Sequence, residues 1–175
     1  CISCGPLGGS PAYSGTSKSI ITGISPTTGS VMDSNVGGHF GPLLKFAGFD
    51  ALELQGKAEE EVLVVIDGKN HRVTIESAPH EEVNSYALAD QLHHMYSDSH
   101  EELQSVSVIS AGRGADHTLV GCLNSSFYDY RRQVPRLKQA GRGGLGSVFR
   151  NKKIKGLVAK ALNNRPRWEI SVESP

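Results

Sequence analysis

The sequence predicts an α+β, β-rich domain made of two similar halves related by a pseudo-two-fold axis. Its sheets are expected to be mixed or antiparallel, joined by short helices. Three observations lead there. A glycine-opened stretch occurs twice, at 35–52 and 140–157. Short β-branched runs bounded by turn residues recur between the two copies. A sustained helical period is confined to one segment, about 83–103.

The first copy runs Asn35-Val36-Gly37-Gly38-His39-Phe40-Gly41-Pro42-Leu43-Leu44-Lys45-Phe46-Ala47-Gly48, and the second runs Ala140-Gly141-Arg142-Gly143-Gly144-Leu145-Gly146-Ser147-Val148-Phe149-Arg150. Each reads as a glycine-rich turn, a short helix and a strand packed behind it. Glycine admits positive φ and lets another atom approach the backbone. The first N–H groups of a helix are unpaired and suit an anion such as phosphate. Matching turns with a basic residue at one offset, Lys45 and Arg150, point to a site for two phosphates or two halves of one ligand. The competing reading is a duplication whose glycines only serve tight turns.

In chain order, residues 1–16 read as a strand end and a loop, Gly5-Pro6-Leu7-Gly8-Gly9-Ser10-Pro11. Ser19-Ile20-Ile21-Thr22 is the next strand, and Ser25-Pro26-Thr27-Thr28-Gly29 a turn. Lys18 precedes that strand on a Gly/Ser/Thr-rich loop, either as a solvated lysine or as a phosphate partner. Residues 42–47 form a short helix ended by Gly48, and 50–54 a strand. Val62-Leu63-Val64-Val65-Ile66 is the clearest strand, and Asp67-Gly68-Lys69-Asn70 turns it into the half-exposed edge His71–Ile75. In the helix at 83–103, Tyr86, Leu88, Leu92 and Met95 mark the apolar face. Adjacent helical residues do not share a face, so the pair His93-His94, with His100 nearby, is read as a solvated helix face rather than a joint metal site. Val106–Ile109 and Leu119–Leu123 are strands, with Ala111-Gly112-Arg113-Gly114 a third glycine turn lacking a clear helix after it. Residues 124–139 read as a polar insertion carrying Tyr128, Tyr130, Arg131, Arg132, Arg136 and Lys138. From Lys160 the chain becomes a Pro/Arg/Asn-rich tail with Trp168 as a lone strand or docking residue.

At 175 residues the chain fits one domain, 1–175. Lys plus Arg and Asp plus Glu are 18 each, which argues against a general nucleic-acid binder. There is no apolar run of membrane-spanning length, and a secretory signal is not expected from the residues given. Cys1, Cys4 and Cys122 make an odd count that suits a reducing, cytoplasmic compartment. Cys1-x-x-Cys4 is half of a possible metal site, but a closed site usually needs four ligands, so structural cysteines are expected. The start at Cys1 leads to the expectation of a fragment, a processed product or one piece of a larger protein.

The motifs Gly5-Pro6-Leu7, Ser25–Gly29, Asn35–Asp50, Gly56-Lys57-Ala58, Ala140–Gly146 and Lys152–Lys155 resemble the N-terminal domain of the aldehyde ferredoxin oxidoreductase family over most of residues 2–160. The resemblance implies a cytoplasmic tungsten or molybdenum bis-pterin enzyme of anaerobic metabolism, which oxidises aldehydes to carboxylic acids. A tungstopterin or molybdopterin would sit on a β-rich base whose two halves each support one pterin. A magnesium ion between the pterin phosphates would be held by backbone carbonyls, carried by position onto Asn35 and Gln139. The implied cofactor contacts are Lys18, Asn35, Val36, Gly37, Gly38, Lys138, Gln139, Ala140, Gly141, Arg142, Gly143 and Gly144. Lys18 and Lys138 stand where the family has arginine, which keeps the charge and loses the bidentate fork. The resemblance also implies that the 4Fe-4S cysteines and the acid/base residues belong to later helical domains. Partners would then be the remaining domains or subunits and a ferredoxin-like electron acceptor, in an oligomer, with no catalytic residue in this chain. A cofactor-free scaffold subunit and a nucleotide-binding domain using the same turns are the competing functions, and the second lacks a Walker or G-x-G-x-x-G pattern.

Overall fold

The structure is a computed structural model that describes residues 1–12, 15–79 and 84–161. Among these residues ten strands form two sheets. The smaller holds β1 (Ile2–Cys4), β2 (Ser19–Ile24), β3 (Val31–Val36) and β4 (Ala51–Leu52) in the order β3-β2-β1-β4, all antiparallel. The larger holds β5 (Val62–Asp67), β6 (Arg72–Ser77), β7 (Val106–Ser110), β8 (Leu123–Asp129), β9 (Val134–Ala140) and β10 (Ile154–Lys160) in the order β6-β5-β10-β7-β8-β9. Only β10 and β5 run parallel.

Two short helices, α1 (Phe40–Phe46) and α3 (Leu145–Asn151), lie between the sheets, and α2 (Ser85–Met95) covers the far face of the larger one. This explains the unbroken apolar runs Val62–Ile66 of β5 and Leu157–Ala159 of β10: both faces of these strands are covered. Val64, Ile66, Leu157 and Ala159 point into the inter-sheet core with Ile2, Ile21, Phe40, Leu44, Leu145 and Phe149. Leu63, Val65 and Val158 point the other way, against Leu88 and Leu92 of α2. The side-chain period of two thus divides one strand between two cores.

α2 begins where Asn84 accepts hydrogen bonds from the N–H groups of Tyr86 and Ala87, an N-cap of the usual kind. Of its four expected apolar positions only Leu88 and Leu92, one turn apart, are buried; Tyr86 and Met95 are exposed. The helix stops at Met95 instead of running on to Leu103. A 3-10 turn over His100–Ser105 carries Leu103 back onto the sheet.

Several expectations need correction. The helix expected at 42–47 lies at 40–46, and the strand at 50–54 shrinks to Ala51–Leu52. β3, over residues to which the sequence reading assigns no strand, is a full strand paired along β2. The run 119–123 becomes a strand only at Leu123, with Leu119 and Val120 exposed, and the glycine turn at 111–114 leads into a short 3-10 helix, Arg113–His117. Residues 124–139 are no insertion: they are the β8–β9 hairpin, with Asn124, Ser125 and Ser126 buried. Three polar residues in a row hid a strand whose hydroxyl and amide groups largely bond to neighbouring elements. Asp129 closes the hairpin by accepting from the N–H groups of Arg131 and Arg132.

His93 is not solvated but fully buried. Its Nδ1 lies 2.9 Å from the Leu103 carbonyl and its Nε2 2.8 Å from Ser126 Oγ. A carbonyl only accepts, so Nδ1 carries the proton and Nε2 accepts from the Ser126 hydroxyl. Ser126 Oγ in turn accepts from the Val108 N–H at 2.8 Å. His94 and His100 are exposed, as expected.

The expected pseudo-two-fold does not extend to the topology. α1 leads into the two-residue edge strand β4, whereas α3 leads into the seven-residue strand β10 at the centre of the larger sheet. Trp168 and the tail from 162 lie outside the described residues. No helix among the described residues is long and apolar enough to cross a membrane.

Candidate functional site

β3 ends at Val36 and the chain passes through Gly37 and Gly38 towards α1. β9 ends at Ala140 and passes through Gly141–Gly144 into α3. These strand ends belong to different sheets, yet they lie against each other. The Arg142 guanidinium donates to the Asp33 carbonyl at 2.7 Å and to the Asp33 carboxylate at 2.8 Å, and the Arg142 N–H donates to Ser34 Oγ at 3.3 Å. A Cβ on Gly143 would stand 3.0 Å from the Met32 Cβ, and one on Gly38 would stand 3.0 Å from Ser125 Oγ. Ser125 pairs across the hairpin with Lys138.

The structure therefore brings most of the sequence-predicted residues to one rim. Lys18 is exposed, and its Nζ lies 3.9 Å from where a Gly37 Cβ would be. The β2–β3 pairing of Ser19 with Val36 sets it there. Asn35 is exposed, Gly37 and Gly38 are half-buried, and Val36 turns its side chain into the core, which leaves only its backbone available. Lys138 is exposed with its Nζ 5.9 Å from the Phe127 ring centroid, within cation–π range. Gln139 is exposed and donates to Asn124 Oδ1 at 3.4 Å, while Ala140 is buried. Gly141 is exposed with open space where a Cβ would point.

Three of the glycines have purely structural reasons. Gly144 is buried at φ 65°, with the Leu119 carbonyl and the Pro26 ring where a side chain would go. Gly41 and Gly146, each the second residue of its seven-residue helix, are packed against Ser19 and Cys4 and against the Cys122 backbone respectively. The shared glycine of the two copies is thus a close-packing residue.

The shared basic position is also internal. The Lys45 ammonium pairs with the Asp50 carboxylate. The Arg150 guanidinium is largely buried and forks onto Asp116, with both contacts at 2.9 Å, and onto Glu61 at 2.6 Å. That pairing holds the Asp116 carboxyl below the ordinary carboxylate range and raises the guanidinium further. A cleft of about 840 Å³ beside Arg150, lined also by Lys57, Glu59 and Leu119, includes none of the predicted site residues.

Sequence reasoning missed Ser125 and Phe127, because the hairpin that carries them read as a loop. It also missed Asp33, which neutralises Arg142 and so takes that arginine out of the free positive charge. Cys4 is buried beneath Gly8 and Gly41, where burial pushes its thiol pKa up, as suits a structural cysteine. Among the described residues no group of three or more His, Cys, Asp or Glu side chains could hold a metal ion. A metal at this rim would need backbone carbonyls or ligands of its own.

The sequence matches the family model "Aldehyde ferredoxin oxidoreductase, N-terminal domain" over residues 1–161. Similar proteins include the tungsten-containing aldehyde ferredoxin oxidoreductases of Pyrococcus furiosus, 30% identical over 94% of this chain and 25% of that protein, and of Thermococcus kodakarensis, 31% identical over 94% and 25%. The chain therefore spans about a quarter of the length of these relatives. Among solved structures, the active-site complex BamBC of benzoyl coenzyme A reductase, in complex with 1,5-dienoyl-CoA, superposes with a TM-score of 0.74 at 24% identity. That match covers 91% of this chain and 22% of the other, and at this identity it speaks for the fold alone. The chain belongs to the aldehyde ferredoxin oxidoreductase family and corresponds to its N-terminal domain.

Proposed function

We propose that this chain is the cofactor base of a tungsten bis-pterin oxidoreductase that converts aldehydes to carboxylic acids. The observation that supports it best is the meeting of two strand-end turns, 35–38 and 138–143, at one rim where Lys18, Asn35, Lys138, Gln139 and Gly141 are exposed. Pterin phosphates are concentrated anions. Gly37, Gly38, Gly141 and Gly143 have no side chain to keep such an anion from the main-chain N–H groups. Lys18 and Lys138 supply compensating charge, as point charges rather than planar forks. The donor set fits: Asp33 is neutralised by Arg142, which leaves both lysines to set the sign of the rim. The backbone carbonyls of Asn35 and Gln139 would hold a magnesium ion, which favours oxygen ligands.

Tungsten, or molybdenum in its place, supplies the redox chemistry when bound. This chain's residues bind the phosphate ends and fix the orientation of the group. The 4Fe-4S cluster and the proton-handling residues fall to further domains or subunits, with a ferredoxin-type protein taking the electrons, in a cytoplasmic oligomer.

Replacing Lys138 or Lys18 by glutamine removes one charge-assisted hydrogen bond, worth roughly 1.5–3 kcal/mol, or about a 10- to 100-fold loss of cofactor affinity. Under limiting supply, the tungsten and pterin content of the intact enzyme should fall accordingly. Wild-type enzyme with neither tungsten, molybdenum nor pterin would contradict the proposal, and so would full content in both variants.

A further inference from the structure

The buried hydroxyls of the larger sheet are not used equally. On the α2 side of β8, Ser126 Oγ bonds both His93 and Val108, and the Ser107 hydroxyl donates to the Ser126 carbonyl. On the opposite side, Ser125 is 1% exposed and its Oγ has no hydrogen-bond partner. A buried hydroxyl without a partner costs its desolvation and returns nothing, and in a native protein it calls for a reason.

Its surroundings supply one. Ser125 sits across the hairpin from Lys138, and directly over its Oγ lies Gly38, at φ 106°. A Cβ at position 38 would stand 3.0 Å from that oxygen, so only glycine leaves the hydroxyl its space. Glycines at 37 and 38 also let the peptide between them rotate at little cost. An anion held between Lys18 and Lys138 would draw the main-chain N–H groups of the turn outward. The carbonyl on the opposite side of such a peptide would then swing inward, where the Ser125 hydroxyl could donate to it.

We infer that Ser125 is a positioning residue for the anion pocket: its hydroxyl is unpaired while the Gly37–Gly38 turn is empty and bonds the turn's backbone when the turn closes on a phosphate. This rests on the cofactor-base reading and adds a mechanism to it. The bond exists in one state only, so its free energy goes into ligand affinity rather than into the stability of the free protein.

The signature is a stability gain coupled to a binding loss. In the 175-residue chain, Ser125→Ala removes the unpaired hydroxyl, so the ligand-free protein should melt roughly 2–4 °C higher. Inorganic phosphate, followed through the backbone amide signals of Gly37, Gly38 and His39, should bind about tenfold more weakly than to wild type, as expected for one lost hydrogen bond. Ser126→Ala, whose hydroxyl is engaged in the free protein, should melt lower and bind phosphate as wild type does. A lower melting temperature for Ser125→Ala, or unchanged phosphate affinity beside a normal wild-type response, overturns the inference and leaves the pocket standing. No phosphate response in wild type removes the anion pocket itself, and the cofactor-base reading with it.

Discussion

Gly146→Ala is expected to destabilise the fold by about 3 kcal/mol, at the upper end of the range for overpacking. Helix propensity alone argues the other way, since alanine is better than glycine inside a helix by about 1 kcal/mol. Packing wins because of where α3 begins. Its first turn lies flat on residues 118–122: the Gly146 N–H donates to the Gly121 carbonyl at 2.9 Å, and the Ser147 hydroxyl donates to the Thr118 carbonyl at 2.6 Å. A Cβ on Gly146 would stand 2.6 Å from the carbonyl carbon of Cys122, and backbone cannot swing aside as a side chain can. α3 would have to lift off the sheet, opening the core around Leu145 and Phe149. Gly141→Ala is the control: nothing lies within 4 Å of its Cβ position, and the cost should stay within about 0.5 kcal/mol. Urea unfolding of both variants measures this. A Gly146→Ala protein as stable as wild type would mean that α3 does not touch the 121–122 backbone.

The second large effect is a pH dependence centred on His93. Burial holds its pKa at about 4, against an ordinary 6.5. Above pH 6.5 the imidazole is neutral in both folded and unfolded chains and contributes no pH dependence. Between 6.5 and about 4 the unfolded chain binds a proton that the folded chain refuses, so stability falls as the pH falls. Below about 4 both states are protonated and the loss levels off. At about 1.36 kcal/mol per pKa unit, the total is about 3 kcal/mol. A protonated ring would also have to donate from Nε2, leaving Ser126 to turn its own proton away from His93. The check is the pH profile of unfolding free energy for wild type minus that for His93→Gln. Glutamine can donate towards Leu103 and accept from Ser126 without titrating. The difference should change by about 3 kcal/mol across that window and be flat above it; equal profiles would show that His93 is not buried as a neutral base.

His93 also marks the limit of reading this chain from its sequence. Beside His94 on a polar helix it had every mark of a solvated residue, and what buries it is Ser126, 33 positions away on a hairpin that itself read as a loop. Asn124, Ser125 and Ser126 gave that hairpin a loop-like composition. Asn124 and Ser126 are held in the strand by side-chain bonds to Ser85 and His93 of α2 and to Val108 of β7, which local pattern does not report. β5 was legible because a strand covered on both faces must be apolar throughout. The glycine turns were legible too, but for mixed reasons. Gly41, Gly144 and Gly146 answer to packing, whereas Gly37 and Gly141 sit at an exposed rim. Lys45 and Arg150 looked like ligand residues because they repeat at one offset, yet each is held by carboxylates that only the fold brings near. The rim itself, where 35–38 meets 138–143, follows from Arg142 crossing to Asp33 over a separation of 109 residues.

The central claim is that both turns serve one anionic metal cofactor. The most direct measurement is an anomalous difference map at the tungsten absorption edge from crystals of the intact enzyme. The account predicts a single heavy-atom peak in front of the rim, with phosphate density reaching the backbone of Gly37–Gly38 on one side and Gly141–Gly143 on the other. A heavy-atom peak elsewhere, with protein packed over those glycines, would contradict it.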